Sequence, residues 1–331
     1  MDTFGLSCPM NPQFIPVHVD VAEMVACVYG FPLMDQCSIL SRRNVHMPPH
    51  SWYMELMQRE RGWLEDLQQN PSGLEKMVAA LDAEIPIGKR FESFIRFWLE
   101  HGPSFELIAS NVQVFRGDRT LGEFDFLCRD RLSGASLHIE AACKYYLGYA
   151  NRSSWEYWAG PNREDRLSDK MARFTSQFGI EESPEGSATL KRLGIQHCQR
   201  LLFLKGMFFH HVDALHRHKS PQCSGSHYRS GWYLFENELE EYFPGGEDWI
   251  LPERQHWLRT YHTGSPGSQG TKNTINSREA TLDNIRRGLL LRKKAVMACR
   301  LEKCGNLYQE ESRGFILPGI RMRTGSSFIT K

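Results

Sequence analysis

Beginning at Gly122 the chain reads GEFDFLCRDRLSGASLHIEAACKYYL, two stretches of period-two alternation around a Ser133-Gly134 turn signal. This pattern constrains the fold tightly. It calls for two antiparallel strands joined by a tight turn, and it fixes which residues share a face. Glu123 and Asp125 share one face of the first strand, and His138, Glu140, Ala142 and Lys144 share one face of the second. A desolvated carboxylate is costly in a sheet interior unless it is paired or bound to a cation. Asp125 and Glu140 are therefore either polar residues of a solvated face, with Lys144 as a salt-bridge partner, or the two acids of a divalent-cation site. In the second case, hard oxygen ligands with an incomplete shell select Mg²⁺ or Mn²⁺, and water and phosphate fill the remaining positions. Lys144 would then offset charge growing on the phosphorus.

The flanking sequence predicts a mixed sheet. Pro86 and Gly88 open a helix over Lys89–Glu100, with Phe91, Phe94, Ile95, Trp98 and Leu99 on one face, and Pro103 ends it. Phe105–Phe115 is a strand, and Arg116-Gly117-Asp118 turns it into the next, Leu121–Arg129. Leu137–Leu147 follows as the third strand of a meander. A helix over Asp165–Phe178 then precedes a buried strand, Arg200–Phe209. A crossover helix before that last strand implies that it joins the sheet in parallel. Glu92 lies at the edge of the apolar face of its helix, where it can support a metal-bound water. Lys170 and Gln177, seven residues apart, share a helix face from which both reach a phosphate backbone.

At 331 residues the chain can bury a sizeable core. We divide it into a helical N-terminal segment (1–85), a core (86–210) and a C-terminal extension (211–331) with a polar, mobile loop at 263–277. The N-terminal segment carries helices at Val21–Tyr29, Trp52–Leu67 and Gly73–Leu81. Trp249–Trp257 and Gly314–Pro318 read as short strands, and Leu282–Leu301 as one helix with a basic face. A net charge of +1 leaves any nucleic-acid contact to a local basic patch. Nine cysteines without a CxxC pair argue against a disulfide framework or a zinc ribbon, and fit reduced thiols in a cytoplasmic protein. The apolar run Val19–Met34 is broken by Asp20, Glu23, Gly30 and Pro32 and reads as a core helix, so no membrane role is expected. The N-terminus does not resemble a signal peptide. Oligomeric state is not readable.

The segments RFESFIRFWLE (Arg90–Glu100), GEFDFLCRD (Gly122–Asp130), HIEAACKYYLG (His138–Gly148), GPNREDRLSDK (Gly160–Lys170) and SGWYLF (Ser230–Phe235) resemble a bacterial domain-of-unknown-function family, number 1853. That family in turn looks like a member of the PD-(D/E)xK, or restriction-endonuclease-like, nuclease superfamily. The resemblance implies an α/β fold with a core of helix, three-strand meander, helix and strand. It implies Asp125 and Glu140 as ligands of Mg²⁺ or Mn²⁺, Lys144 at the reacting phosphate, and Glu92, Lys170 and Gln177 in support. The expected activity is metal-dependent hydrolysis of nucleic-acid phosphodiesters, DNA or RNA. Two departures from the superfamily pattern stand out. Glu140 and Lys144 are four residues apart rather than two, and Phe124 occupies the place of the usual proline before Asp125. A nuclease-like scaffold without turnover and a hydrolase of a small phosphorylated substrate remain the alternatives.

Other chemistry-bearing residues have plainer readings. His210, His211, His216 and His218 read as a partly exposed helix end rather than a metal site, since Asp213 is the only nearby acid. Cys128 and Cys143 fall at the opposite strand parity from the acids and read as buried. Trp155, Tyr157 and Trp158 read as cleft fillers more than base-stacking platforms, and Asn162 or Asp165 as a helix N-cap.

Overall fold

The computed structural model describes residue 14 and residues 16–35, 37–149, 153–214, 221–222, 228–246, 248–264, 275–305 and 307–319. Five helices precede the predicted core: α1 (Val19–Tyr29), α2 (Ser38–Ser41), α3 (His50–Arg59), α4 (Arg61–Gln69) and α5 (Ser72–Ala79), with a short strand β1 (Val45–His46) among them. Then come α6 (Ile87–His101), β2 (Phe105–Arg116), β3 (Arg119–Asp130), β4 (Ser136–Gly148), β5 (Trp158–Ala159), α7 (Leu167–Phe178), α8 (Pro184–Arg192) and β6 (Gln199–His211). The order helix, three strands, helix, strand is as expected from the sequence. The chain continues through β7 (Ser230–Phe235), α9 (Leu239–Tyr242), β8 (Trp249–Ile250), β9 (His262–Gly264), α10 (Arg278–Arg292), β10 (Val296–Cys304) and β11 (Leu307–Leu317).

The strands form one mixed sheet in the order β2-β3-β4-β6-β7-β11-β10-β8. The meander β2-β3-β4 is antiparallel, and β6 joins β4 in parallel from Leu137↔Gln199 to Gly148↔His210. Strict alternation on β4 sorts the two layers. Leu137, Ile139, Ala141, Cys143, Tyr145 and Leu147 pack under α1 and α6. Ala142 and Tyr146 pack with Leu167, Met171, Phe174 and Phe178 of α7. Cys128 and Cys143 are buried, as their parity predicts.

Five sequence readings are corrected. The helix expected over Trp52–Leu67 is two helices, broken at Glu60 (φ −95°, ψ 7°). There the buried Glu60 carboxylate accepts from Tyr29 and from Trp98 Nε1 (2.8 Å), and this tertiary demand overrides the helical periodicity. The helix expected over Leu282–Leu301 stops at Arg292, with Lys293 left-handed (φ 48°), because the run from Val296 onward alternates and is taken up between β11 and β8. Of Trp249–Trp257 only Trp249–Ile250 is strand, and Pro252 follows. Gly314–Pro318 is the end of a much longer strand. His210 and His211 close β6 and are buried rather than forming a helix end. His211 sits between Asp213 (2.6 Å) and Glu238 (2.8 Å). His216 and His218, and most of the loop placed at 263–277, lie outside the described residues.

Gly206 on β6 shows how closely the parallel pair is fitted. Its φ is +135°, and a Cβ there would lie 1.7 Å from the carbonyl oxygen of Lys144. Gly206→Ala is therefore expected to cost about 3 kcal/mol or more in chemical denaturation. Gly117→Ala, in a turn with open space around it, should cost about 1 kcal/mol. Equal losses at the two positions would contradict this account.

Candidate functional site

The register between β3 and β4 ends abruptly. The strands pair from Arg129↔Ser136 to Phe126↔Ile139 and then part. Beyond that point β3 stays with β2, to Arg116↔Arg119, and β4 stays with β6. The residues immediately past the last pair are Asp125 and Glu140, so the two predicted acids face each other at the fork. At the same place the β2–β3 ladder omits one pair without changing register, and Asn111 opposite Asp125 takes a left-handed conformation (φ 53°). Ala141 N–H, turned toward the fork, has lost its strand partner and donates instead to Asp125 Oδ2 (3.1 Å).

A cavity of ≈ 620 Å³ occupies the fork. Five consecutive residues of β4, Ala141 to Tyr145, line it, so it meets the strand at its open edge rather than on one face. Glu92 reaches it from α6, and Lys170 and Gln177 from α7. Five of the six residues singled out in the sequence, Glu92, Asp125, Lys144, Lys170 and Gln177, thus line one cavity. Glu140 does not line it and is fully buried. Glu123 is absent from it as well. With the Asn111 amide nitrogen turned toward Glu123 Oε1 (3.2 Å), the amide oxygen accepts from Arg96 of α6 (3.0 Å).

The electrostatics of the fork are under tension. Burial, and then the charge of Glu140, push the Asp125 carboxyl up to about 8, and Glu92 adds to the effect. Glu140 Oε1 is held by His138 Nε2 (2.9 Å), while Oε2 is buried with no hydrogen-bond partner. His138 in turn meets Glu181, which Arg200 Nε also contacts (2.9 Å). Burial opposes a charge on His138, but its hydrogen bonds to Glu140 and Glu181 prevail and hold it at about 9. Lys144 Nζ donates to Asp165 (2.6 Å), and Lys89 to Glu92 (2.6 Å). Lys170 rests on the Phe174 ring at 4.1 Å, and burial and then the charge of Lys144 hold its amine below the usual range.

Asp165 therefore partners a lysine and does not cap α7, whose N-cap is Arg166. Trp158 is buried against Phe208 and His210, as a cleft filler should be. Sequence reasoning missed the His138–Glu181–Arg200 chain behind Glu140. Its one visible signal is the two-residue spacing that puts His138 on the face of Glu140. It also missed Arg254, and it set Arg292 and Lys294 on the basic face of a single helix rather than at this cavity, which all three line from the C-terminal part of the chain. Only the fold brings those three to it.

Among the described residues, no group of three or more His, Cys, Asp and Glu side chains gathers as a metal cage. The fork instead offers two adjacent carboxylates and one buried oxygen without a partner. That donor set fits a hard cation that keeps much of its own water, as Mg²⁺ does.

The structure thus defines a mixed α/β protein with an acid-bearing cavity at the fork of its sheet. The chain belongs to the family described as Domain of unknown function (DUF1853), whose sequence profile matches residues 32–317, a span that contains every residue of that cavity. No curated protein and no solved structure matches the chain. Among the described residues no helix is long and apolar enough to cross a membrane.

The raised Asp125 carboxyl has a definite stability signature. The unfolded chain releases this proton near 3.8 and the folded protein near 8. Between those values the folded state binds more protons, so its stability falls as pH rises. The contribution is fully present below about 4 and is lost as pH passes 8. Asp125→Asn removes the titration. In metal-free buffer, its thermal midpoint should gain on the wild type as pH goes from 5 to 8, and a gap constant with pH would refute the assignment.

Proposed function

We propose that this protein is a metal-dependent phosphodiesterase acting on nucleic acid, with a restriction-endonuclease-like core formed by α6, β2, β3, β4, α7 and β6. The observation that carries the reading is the pairing of Asp125 and Glu140 at the fork, where one carboxylate raises the proton affinity of the other and a buried oxygen lacks a partner. Carboxylates forced together in this way are relieved by a divalent cation. Asp125 and Glu140 would hold Mg²⁺ or Mn²⁺, which when bound polarises a phosphoryl oxygen and acidifies a water.

The chain's own residues do the rest. His138 holds the Glu140 carboxylate in place through its Oε1. Lys144 presents an ammonium at the cavity wall, steadied by Asp165, where it can offset charge growing on phosphorus. Lys170 and Gln177 contact the phosphate backbone from α7. Glu92, at the N-terminal end of α6, orients water at the mouth.

A second reading, a nucleic-acid-binding scaffold without turnover, is favoured by two observations. Glu140 is closed off from the cavity with one oxygen on His138, and Lys144 is tied to Asp165.

Cleavage of labelled single- and double-stranded DNA and RNA with Mg²⁺ or Mn²⁺ tests the proposal. Asp125→Ala, Glu140→Ala and Lys144→Ala should each lose about 10²-fold or more in rate. Mn²⁺ at a hundredfold over its dissociation constant should stabilise the wild type by about 2.7 kcal/mol. It should not stabilise Asp125→Ala or Glu140→Ala. Oligonucleotide binding without cleavage or metal response would establish the scaffold reading instead.

A further inference from the structure

We propose that the turn joining α10 to β10, together with Arg254, grips the phosphate backbone of a nucleic acid lying in the fork cavity. This deepens the reading of the cavity as a phosphodiesterase site and rests on it. The C-terminal part of the chain then forms the substrate-holding wall of a site whose acids come from the core.

Three observations converge on this surface. First, Arg292 and Lys294 both line the cavity while Lys293 between them does not. The left-handed backbone of Lys293 (φ 48°, ψ 31°) turns the chain so that the residues on either side reach the same space. A cation at the end of α10 would be favoured there by the helix dipole alone, but that accounts for Arg292 and not for Lys294 or Arg254, which lie outside the helix.

Second, these cations are not spent internally. Of the cavity's other lysines, Lys89 pairs with Glu92 and Lys144 with Asp165, while Lys170 is half-buried on the Phe174 ring. Arg254, Arg292 and Lys294 are exposed and, among the described residues, form no ion pair. On the same helix Arg286 contrasts with them: it is engaged by Asp283 (3.1 Å) and Glu240 and does not line the cavity.

Third, the cavity is large for one phosphate. At ≈ 620 Å³ it extends from Pro86 at the head of α6 to Met297 on β10. One group of cations, Lys144 and Lys170, belongs to the wall of β4 and α7, and a second, Arg254, Arg292 and Lys294, to residues 252–297. Beside the paired Lys144, the unpaired Arg254, Arg292 and Lys294 extend the cationic lining along the groove, which suits a chain of phosphates. Leu290 and Leu291 beside the turn are 76% and 77% exposed, a combination that an anionic lipid surface could also recognise. Arg292 and Lys294, however, face a concave space, which a flat bilayer does not enter.

The test is binding of labelled 20-nucleotide single- and double-stranded oligonucleotides to the full chain in EDTA, followed by anisotropy over a range of salt. Arg292→Gln/Lys294→Gln should weaken binding and reduce the slope of log K against log [salt] by about 1.8 for duplex DNA, or about 1.4 for single strands. Arg287→Gln, on the exposed side of α10, should leave the slope within error of the wild type. An unchanged slope in the double variant overturns the proposal, and so does binding confined to phosphatidylserine vesicles. The readout needs no turnover. A slope change without cleavage would leave this surface standing and remove the hydrolytic reading. Cleavage by a double variant that keeps the wild-type slope would do the reverse.

Discussion

Twelve consecutive residues of β4 run parallel to β6, and the arrangement of the molecule follows from that pairing. Because β6 holds β4 along its whole length, β3 is free to leave it after Phe126↔Ile139 without unravelling the sheet. The fork is therefore an opening with one rigid wall. Parallel strands must be covered on both faces, and here α1 and α6 cover one face and α7 the other. The same two layers bring Glu92 and Lys170 to the fork from opposite sides. A site that depends on an edge, reached from both layers, could not form on an unbroken β3–β4 ladder.

Buried charge ties the flanking segments to this frame. Glu23 of α1 receives Arg90 of α6 bidentately (2.6 and 2.9 Å) and Arg259 from the C-terminal part of the chain (2.9 Å). Arg313 on β11 is enclosed by Glu310 and the carbonyls of Trp257 and Arg259. Such clusters add little net stability over apolar packing, but removing one partner strands the other in low dielectric. Their effect is to fix one arrangement. That matters at the fork, because Trp257 and Arg254 line the cavity from the segment that these ion pairs anchor.

The meander, the crossover helix and the parallel strand were legible because each is written as a local period. The alternation of β3 and β4 assigns Asp125 and Glu140 each to a strand face, so that they come within reach of each other if those faces coincide. It could not show that the ladder ends at that very step, since strand divergence is set by β2 and β6 and leaves no local mark. Hence the sequence describes a site on a face, and the structure places it at an edge. The same limit explains the misread C-terminal region. Leu282–Leu301 reads as one helix from its basic face, but from Val296 the chain alternates, and Met297, Cys299 and Leu301 bury against the core cluster with β11 and β8 as strand partners. Glu60 breaks a helix for two partners, Tyr29 and Trp98, that lie more than thirty residues away.

The fork is also a poor solution to the problem of folding alone. Asp125 is desolvated beside Glu140, Glu140 has a buried oxygen with no partner, and the compensating His138 must itself be buried between two glutamates. An apolar pair at positions 125 and 140 would avoid these costs. Desolvated, strongly perturbed polar groups cluster at functional sites. The remaining wall points the same way. Arg254, Arg292 and Lys294 line the same cavity without ion-pair partners among the described residues. A desolvated carboxylate pair and unpaired cations lining one cavity are the two features on which the proposed metal and phosphate binding rests.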